Sequence, residues 1–81
     1  MNESQLITIL QPHYREILNV PDLLLTRDLT ATDVESWDSL NHILLIVKCE
    51  EIFSVKFKAS ELVSLSNLGE FLDLLLSRIN N

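Results

Sequence analysis

The segment Glu35-Ser-Trp-Asp-Ser39-Leu40 carries the side chains whose types and spacing could do chemistry. An apolar helical pattern begins directly after Asp38, so Ser39 is expected in the first turn of a helix. Backbone N–H groups in a first turn have no partner within the helix, and the helix dipole places about half a positive charge there. A phosphate group bonded to the Ser39 hydroxyl would therefore be stabilised. The alternative is structural: Asp38 or Ser39 only caps the helix, which contributes about 1 kcal/mol.

Ser39 and His42 lie three positions apart on one helix face, a spacing that would suit the nucleophile and base of a hydrolase. A hydrolase also needs a carboxylate that orients the histidine, an oxyanion hole and a substrate pocket. A chain of 81 residues offers little room for these, so we expect no catalysis by this pair. The single cysteine, Cys49, and two histidines match no zinc-binding pattern. We expect no metal site, and an inert buried thiol at Cys49.

The composition predicts a single domain over residues 1–81. Hydrophobic residues make up 47% of the chain and glycine occurs once, which favours helices. The net charge of −6 repels phosphate backbones and anionic lipids, so no nucleic-acid partner is expected. The longest apolar run, at residues 43–47, is far shorter than the roughly 20 residues of a membrane span. With no secretion signal in the first residues, we expect a cytoplasmic monomer without membrane insertion.

Apolar periodicity predicts an all-α fold, a small bundle of three main helices plus one short helix. The helices are expected at residues 3–18, 38–53, 59–63 and 68–79. Capping side chains stand before the first and last helices: Asn2 or Ser4, and Ser66 or Asn67. Pro12 lacks the N–H that a helix interior needs, so it is expected to kink or restart the first helix.

A long loop at residues 19–38 separates the first and second helices and is rich in turn-forming polar residues. Loops of this length in small domains are usually functional or anchored to the core. Five apolar residues are expected to anchor it: Leu23, Leu24, Leu25, Leu29 and Val34.

The second helix is apolar on two opposite sides, at 100° per residue. One side contains Leu45, Ile46, Cys49, Ile52 and Phe53. The other side contains Leu40, Ile43, Leu44 and Val47. Such a helix is either fully buried or presents a surface to a partner, and the small size of the domain favours a partner surface.

Asp38-Ser39-Leu40, opening a helix that ends in Glu50-Glu-Ile-Phe53, resembles the acyl carrier protein family. The resemblance extends over the whole chain: its length, acidity, long first loop, short third helix and capped last helix. It implies that a phosphopantetheinyl transferase attaches a 4′-phosphopantetheine arm from coenzyme A to Ser39. It also implies that Asp38 helps this enzyme hold a metal ion and coenzyme A. The chain itself would be no enzyme; it would carry acyl thioesters between acyl-loading and acyl-transferring enzymes.

The resemblance further implies that the second helix docks partner enzymes. The residues expected in docking are Trp37, Leu40, Ile43, Leu44 and Val47. Asn41, Leu44 and Lys48 stand where many members carry acidic residues, and Ser36-Trp37 replaces a common glycine. These departures favour a specialised lipid or polyketide pathway whose enzymes bind a more apolar face, and Trp37 either shapes the groove for the arm or anchors the loop. The alternative function is an unmodified interaction module that binds a partner through the Leu40–Val47 face.

Overall fold

The computed structural model describes residues 1–80 and consists of helices and the loops between them. The helices are α1 (Glu3–Leu18), α2 (Ser39–Phe53), the short α3 (Ala59–Leu62) and α4 (Leu68–Ile79). The long α1–α2 loop contains one short 3₁₀ turn, Ala31–Asp33. No strand forms in this part of the chain. The predicted all-α bundle of three main helices and one short helix is therefore confirmed, and its predicted helix limits agree with the structure to within one residue. Among the described helices, none combines the length and apolarity that crossing a membrane requires.

Each of the three long helices begins at a side chain that caps it. Asn2, Asp38 and Asn67 each accept a hydrogen bond from the backbone N–H three residues later. Each bond satisfies one of the N–H groups that a first helical turn leaves without a partner. All three capping residues were among the candidates that the sequence indicated.

The expected interruption of α1 at Pro12 is wrong, because α1 is a single helix from Glu3 to Leu18. Proline removes the hydrogen bond to the carbonyl four residues earlier, which belongs to Thr8. Pro12 and Thr8 are both exposed. Water can therefore bind the Thr8 carbonyl, and the missing bond leaves no buried polar group without a partner.

The core is formed by apolar side chains from α1, the long loop, α2 and α4. Its buried members are Leu6, Leu10, Tyr14, Leu18, Leu25, Val34, Leu45, Ile46, Cys49, Leu68, Phe71, Leu72 and Leu75. Among the expected loop anchors, Leu25 and Val34 are buried but Leu24 is 66% exposed, so that prediction is wrong for Leu24. The chain around Leu24 forms no helix, and successive side chains there alternate between core and solvent.

The long loop is fixed to the first turn of α4 by two backbone hydrogen bonds. The N–H of Leu68 donates to the Leu29 carbonyl and that of Gly69 to the Arg27 carbonyl, both at 2.8 Å. A Cβ atom on Gly69 would lie 2.9 Å from the Arg27 carbonyl oxygen. The absence of a side chain at Gly69 therefore permits this close approach, which sets the path of the loop towards α2.

Arg78, in the last turn of α4, holds the segment around α3. Its guanidinium donates to the Lys56 carbonyl at 2.6 Å and to the carboxylate of Glu61. It also lies 5.8 Å from the centre of the Phe57 ring, within the range of a cation–π contact. One side chain of α4 thus binds both the α2–α3 link and α3.

Candidate functional site

Ser39 is the first residue of α2, and its side chain is exposed. The Asp38 carboxylate accepts a hydrogen bond from the Asn41 N–H at 2.9 Å. The first hydrogen bond of the helix backbone joins the His42 N–H to the Asp38 carbonyl at 2.9 Å. The N–H groups of Ser39 and Leu40 precede this bond and have no partner inside the helix. An exposed hydroxyl thus stands beside two N–H donors at the positive end of a helix dipole, an arrangement that suits a phosphate ester.

The hydrogen bonds of His42 do not form a hydrolase site. Its Nδ1 accepts a hydrogen bond from the indole Nε1 of Trp37 at 3.2 Å. A catalytic histidine would instead be oriented by a carboxylate and would bond to the serine. Over residues 1–80, no hydrogen bond joins the Ser39 hydroxyl to His42. Within the described residues, the geometry therefore does not support Ser39 and His42 as a catalytic pair.

The segment before Ser39 is held in place by contacts with α1 and α2. The Ser36 hydroxyl donates to the Leu18 carbonyl at the end of α1. The side-chain amide of Asn41 donates to the Ser36 carbonyl at 2.8 Å. Trp37 packs edge-on against buried Tyr14, with ring centres 5.8 Å apart and planes at 85°. The sequence marked Asn41 only as a departure from the acidic residues common at this position. It gave no sign of the hydrogen bond by which Asn41 holds this segment.

A cavity of about 150 Å³ lies beside the start of α2. Most of its lining is apolar, with polar groups at Thr30, His42, Ser66 and Asn67. Its apolar and aromatic lining comes from α1, the long loop, α2, α4 and the segment around α3: Tyr14, Leu29, Ala31, Trp37, Ile46, Leu62, Leu65, Leu68 and Phe71. Trp37 is half-buried and packs on Tyr14, so it anchors the loop, and it also forms part of the wall of this cavity.

The two apolar sides of α2 have opposite environments. Leu45, Ile46 and Cys49 are buried in the core. The four apolar residues of the other side are exposed, by between 42% for Val47 and 65% for Leu40. The other two of the four, Ile43 and Leu44, have exposures between these values. The full-burial alternative is therefore wrong, and an apolar stripe faces solvent along α2; its use in docking stays a prediction.

The thiol of Cys49 is buried, as expected. Burial and, to a lesser extent, the Glu50 carboxylate raise the pKa of Cys49 to about 12. At neutral pH the thiol is therefore protonated, and it has neither the access nor the charge of a reactive cysteine.

No model of a known protein family matches the chain. No curated protein matches it either. Among solved structures, the chain is similar to the solution NMR structure of a holo acyl carrier protein from Geobacter metallireducens. The two chains are 35% identical, the match covers 91% of this chain and 85% of that one, and the TM-score is 0.84.

The match in fold to a holo acyl carrier protein places the chain among small helical carrier domains, a class of protein without catalytic activity of its own. The sequence identity and the coverage show that the two chains are related in sequence as well as in fold. The chain belongs to the acyl carrier protein family.

Proposed function

We propose that Ser39 carries a 4′-phosphopantetheine arm and that acyl groups travel on this arm as thioesters. The observation that carries the proposal is the exposed Ser39 hydroxyl in the open first turn of α2. The holo form of the similar acyl carrier protein supports the cofactor assignment. The gain from such an arm is effective concentration, because a tethered acyl group meets each docked enzyme as an intramolecular partner.

The attachment chemistry belongs to a separate transferase with its magnesium ion. The Ser39 oxygen forms a bond to the phosphorus atom next to the pantetheine of coenzyme A, the pyrophosphate bond of coenzyme A breaks, and adenosine 3′,5′-bisphosphate leaves. The hydroxyl proton passes to a base of the transferase, so the chain needs no base of its own. His42 does not need to act as a base for Ser39, and its Nδ1 already accepts a hydrogen bond from the indole of Trp37. Asp38 caps α2 and, in this proposal, also presents its exposed carboxylate to the metal ion and coenzyme A held by the transferase.

Intact mass spectrometry tests the proposal. The chain is incubated with coenzyme A, Mg²⁺ and a phosphopantetheinyl transferase of broad specificity. We expect a mass gain of one phosphopantetheine in the natural chain and none in Ser39→Ala. Ser60→Ala is the matched control, because Ser60 is also an exposed serine in a first helical turn, that of α3. Unchanged mass with every competent transferase would leave the alternative of an unmodified interaction module.

The exposed stripe on α2, formed by Leu40, Ile43, Leu44 and Val47, is proposed as the docking surface for the acyl-handling enzymes. Lys48 lies beside this stripe, with its Nζ 4.0 Å from the Glu51 carboxylate. An apolar stripe with a lysine beside it fits partners whose contact surface is itself apolar, as enzymes of a specialised lipid or polyketide pathway would present. In this proposal, the cavity of about 150 Å³ that Trp37 and Ile46 help to line holds a short acyl chain.

The docking proposal is tested by replacing one exposed leucine with serine. In an enzyme that loads the natural holo chain, Leu44→Ser should reduce kcat/KM of acyl loading by about tenfold, the loss of one interface anchor. Leu24→Ser is the control, because Leu24 is also an exposed leucine but lies in the long loop, away from the stripe. Equal loading of the two variants would exclude the stripe as the docking surface.

A further inference from the structure

The Ser36 carbonyl, three residues before Ser39, accepts two hydrogen bonds. The backbone N–H of Asp38 donates to it at 3.0 Å, and the side-chain amide of Asn41 donates at 2.8 Å. These two bonds occupy both lone pairs of the oxygen. The Ser36 hydroxyl donates in turn to the Leu18 carbonyl. Ser36 thereby connects the end of α1 to the first turn of α2.

Asn41 binds both sides of the segment that delivers Ser39. Its backbone N–H donates to the Asp38 carboxylate at 2.9 Å, while its side chain donates to the Ser36 carbonyl. The side chain is half-buried, which lowers competition from water. The side-chain bond requires a donor at this position.

We propose that Asn41 is a positioning residue for phosphopantetheine transfer to Ser39. The Ser36–Asn41 bond holds residues 36–38 in the conformation that exposes the Ser39 hydroxyl to the transferase. This inference rests on the proposed function of Ser39. Without the bond the segment samples other conformations, and only a fraction of molecules presents Ser39 correctly. The apparent KM for this chain then rises by the inverse of that fraction, while kcat is unchanged.

The test compares the steady-state kinetics of transfer for the natural chain and Asn41→Ala, with coenzyme A saturating and the carrier chain varied. We expect KM to rise about 2- to 10-fold in Asn41→Ala, as the loss of one hydrogen bond implies. The value of kcat should stay within twofold of that of the natural chain.

Amide hydrogen exchange by NMR separates positioning from general stability. Exchange of the Asp38 amide, which donates to the same Ser36 carbonyl, should accelerate in Asn41→Ala. Exchange of the core amides of Leu45 and Cys49 should match the natural chain. Faster exchange at all three amides, or a fall in kcat with unchanged KM, would overturn the positioning role. So would unchanged kinetics in Asn41→Ala, and that result would leave modification of Ser39 intact.

Failure of the underlying function has a different signature. If the natural chain gains no phosphopantetheine, both the carrier function and the positioning role fail. If every variant reaches full modification at long times but Asn41→Ala does so more slowly, both stand. A second variant, Ser36→Ala, removes the hydroxyl bond to α1 without touching Asn41 and should raise KM in the same direction.

Discussion

The first turns of α2 and α4 begin in the same way and are used differently. Asp38 and Asn67 each accept a hydrogen bond at 2.9 Å from the N–H three residues later. At α4, the N–H groups of Leu68 and Gly69 donate to carbonyls of the long loop at 2.8 Å. At α2, the corresponding turn faces solvent and carries the exposed hydroxyl of Ser39.

Both turns have N–H donors and the positive end of a helix dipole. The protein uses the donors of α4 to fix its own loop and leaves those of α2 available to a phosphate group. Substitutions at α4 should therefore change the free energy of unfolding, whereas substitutions at α2 should change the rate of modification.

The largest effect is expected for Asp38→Asn. Asparagine caps a helix as well as aspartate does, so the melting temperature should stay the same. The proposed role of the Asp38 carboxylate at the metal ion of the transferase predicts that its loss slows modification by about 10- to 100-fold. Asn67→Asp is the reciprocal control, since it keeps the cap of α4 and should leave the modification rate unchanged. An unaltered rate in Asp38→Asn would reduce Asp38 to a helix cap.

Gly69→Ala is the next largest perturbation, and it acts on stability. The new Cβ would lie 2.9 Å from the Arg27 carbonyl oxygen and would push the long loop away from α4. Such overpacking costs about 1–3 kcal/mol, which exceeds the gain of up to about 1 kcal/mol from the better helix propensity of alanine. Urea unfolding measures the difference, and Ser77→Ala on the exposed side of α4 is the control. A stability equal to that of the natural chain would show that the loop does not depend on this contact.

Asn67→Ala should have a smaller effect, again on stability alone. Loss of the cap costs about 1 kcal/mol, or roughly 4–8 °C in the melting temperature of a domain of this size. Modification of Ser39 should proceed at the natural rate. Differential scanning calorimetry and the transferase assay measure the two quantities. A slower modification reaction would mean that the two helix starts are coupled.

The smallest expected effect is a pH dependence of the free energy of unfolding, which arises from an ion pair between the long loop and α4. Arg27 in the loop donates to the Asp73 carboxylate at 2.8 and 3.1 Å, and this hydrogen bonding lowers the pKa of Asp73. An unfolded aspartate titrates near pH 3.9, so the stabilisation is complete above about pH 4. It is lost as the pH falls through the lower folded pKa. Both groups are at least half exposed, so the effect should be smaller than that of Asn67→Ala.

Thermal unfolding of the natural chain and Asp73→Asn from pH 7 to pH 2.5 measures this contribution. The natural chain should be slightly more stable at pH 7, and the difference should disappear at the acidic end. A difference that grows as the pH falls would contradict the assigned direction of the pKa shift.

Local chemistry made the three helix starts and the two faces of α2 predictable from the sequence. Caps act within three residues, and apolar periodicity identifies a face without knowledge of its neighbours. The same local rule failed at Pro12, because its cost depends on whether the Thr8 carbonyl is buried or exposed. It failed at Leu24 because a loop without periodicity gives no sign of which side chains turn inward.

The contacts around Ser39 depend on the path of the long loop, and the sequence does not reveal that path. The Ser39 position was predictable from the Asp-Ser-Leu pattern at a helix start. The Ser36–Asn41 and Trp37–His42 bonds each join residues five apart across the loop–helix junction. Only the folded loop brings these partners together. The one available signal was an asparagine where acidic residues are common.

Fragmentation mass spectrometry of the chain after reaction with coenzyme A and the transferase tests the account most directly. Ser36 and Ser39 lie in one short segment, but the Ser36 hydroxyl is bonded to α1 and the Ser39 hydroxyl is exposed. We expect all added phosphopantetheine to be attached to Ser39. Phosphopantetheine on Ser36, or a chain that accepts none, would contradict it.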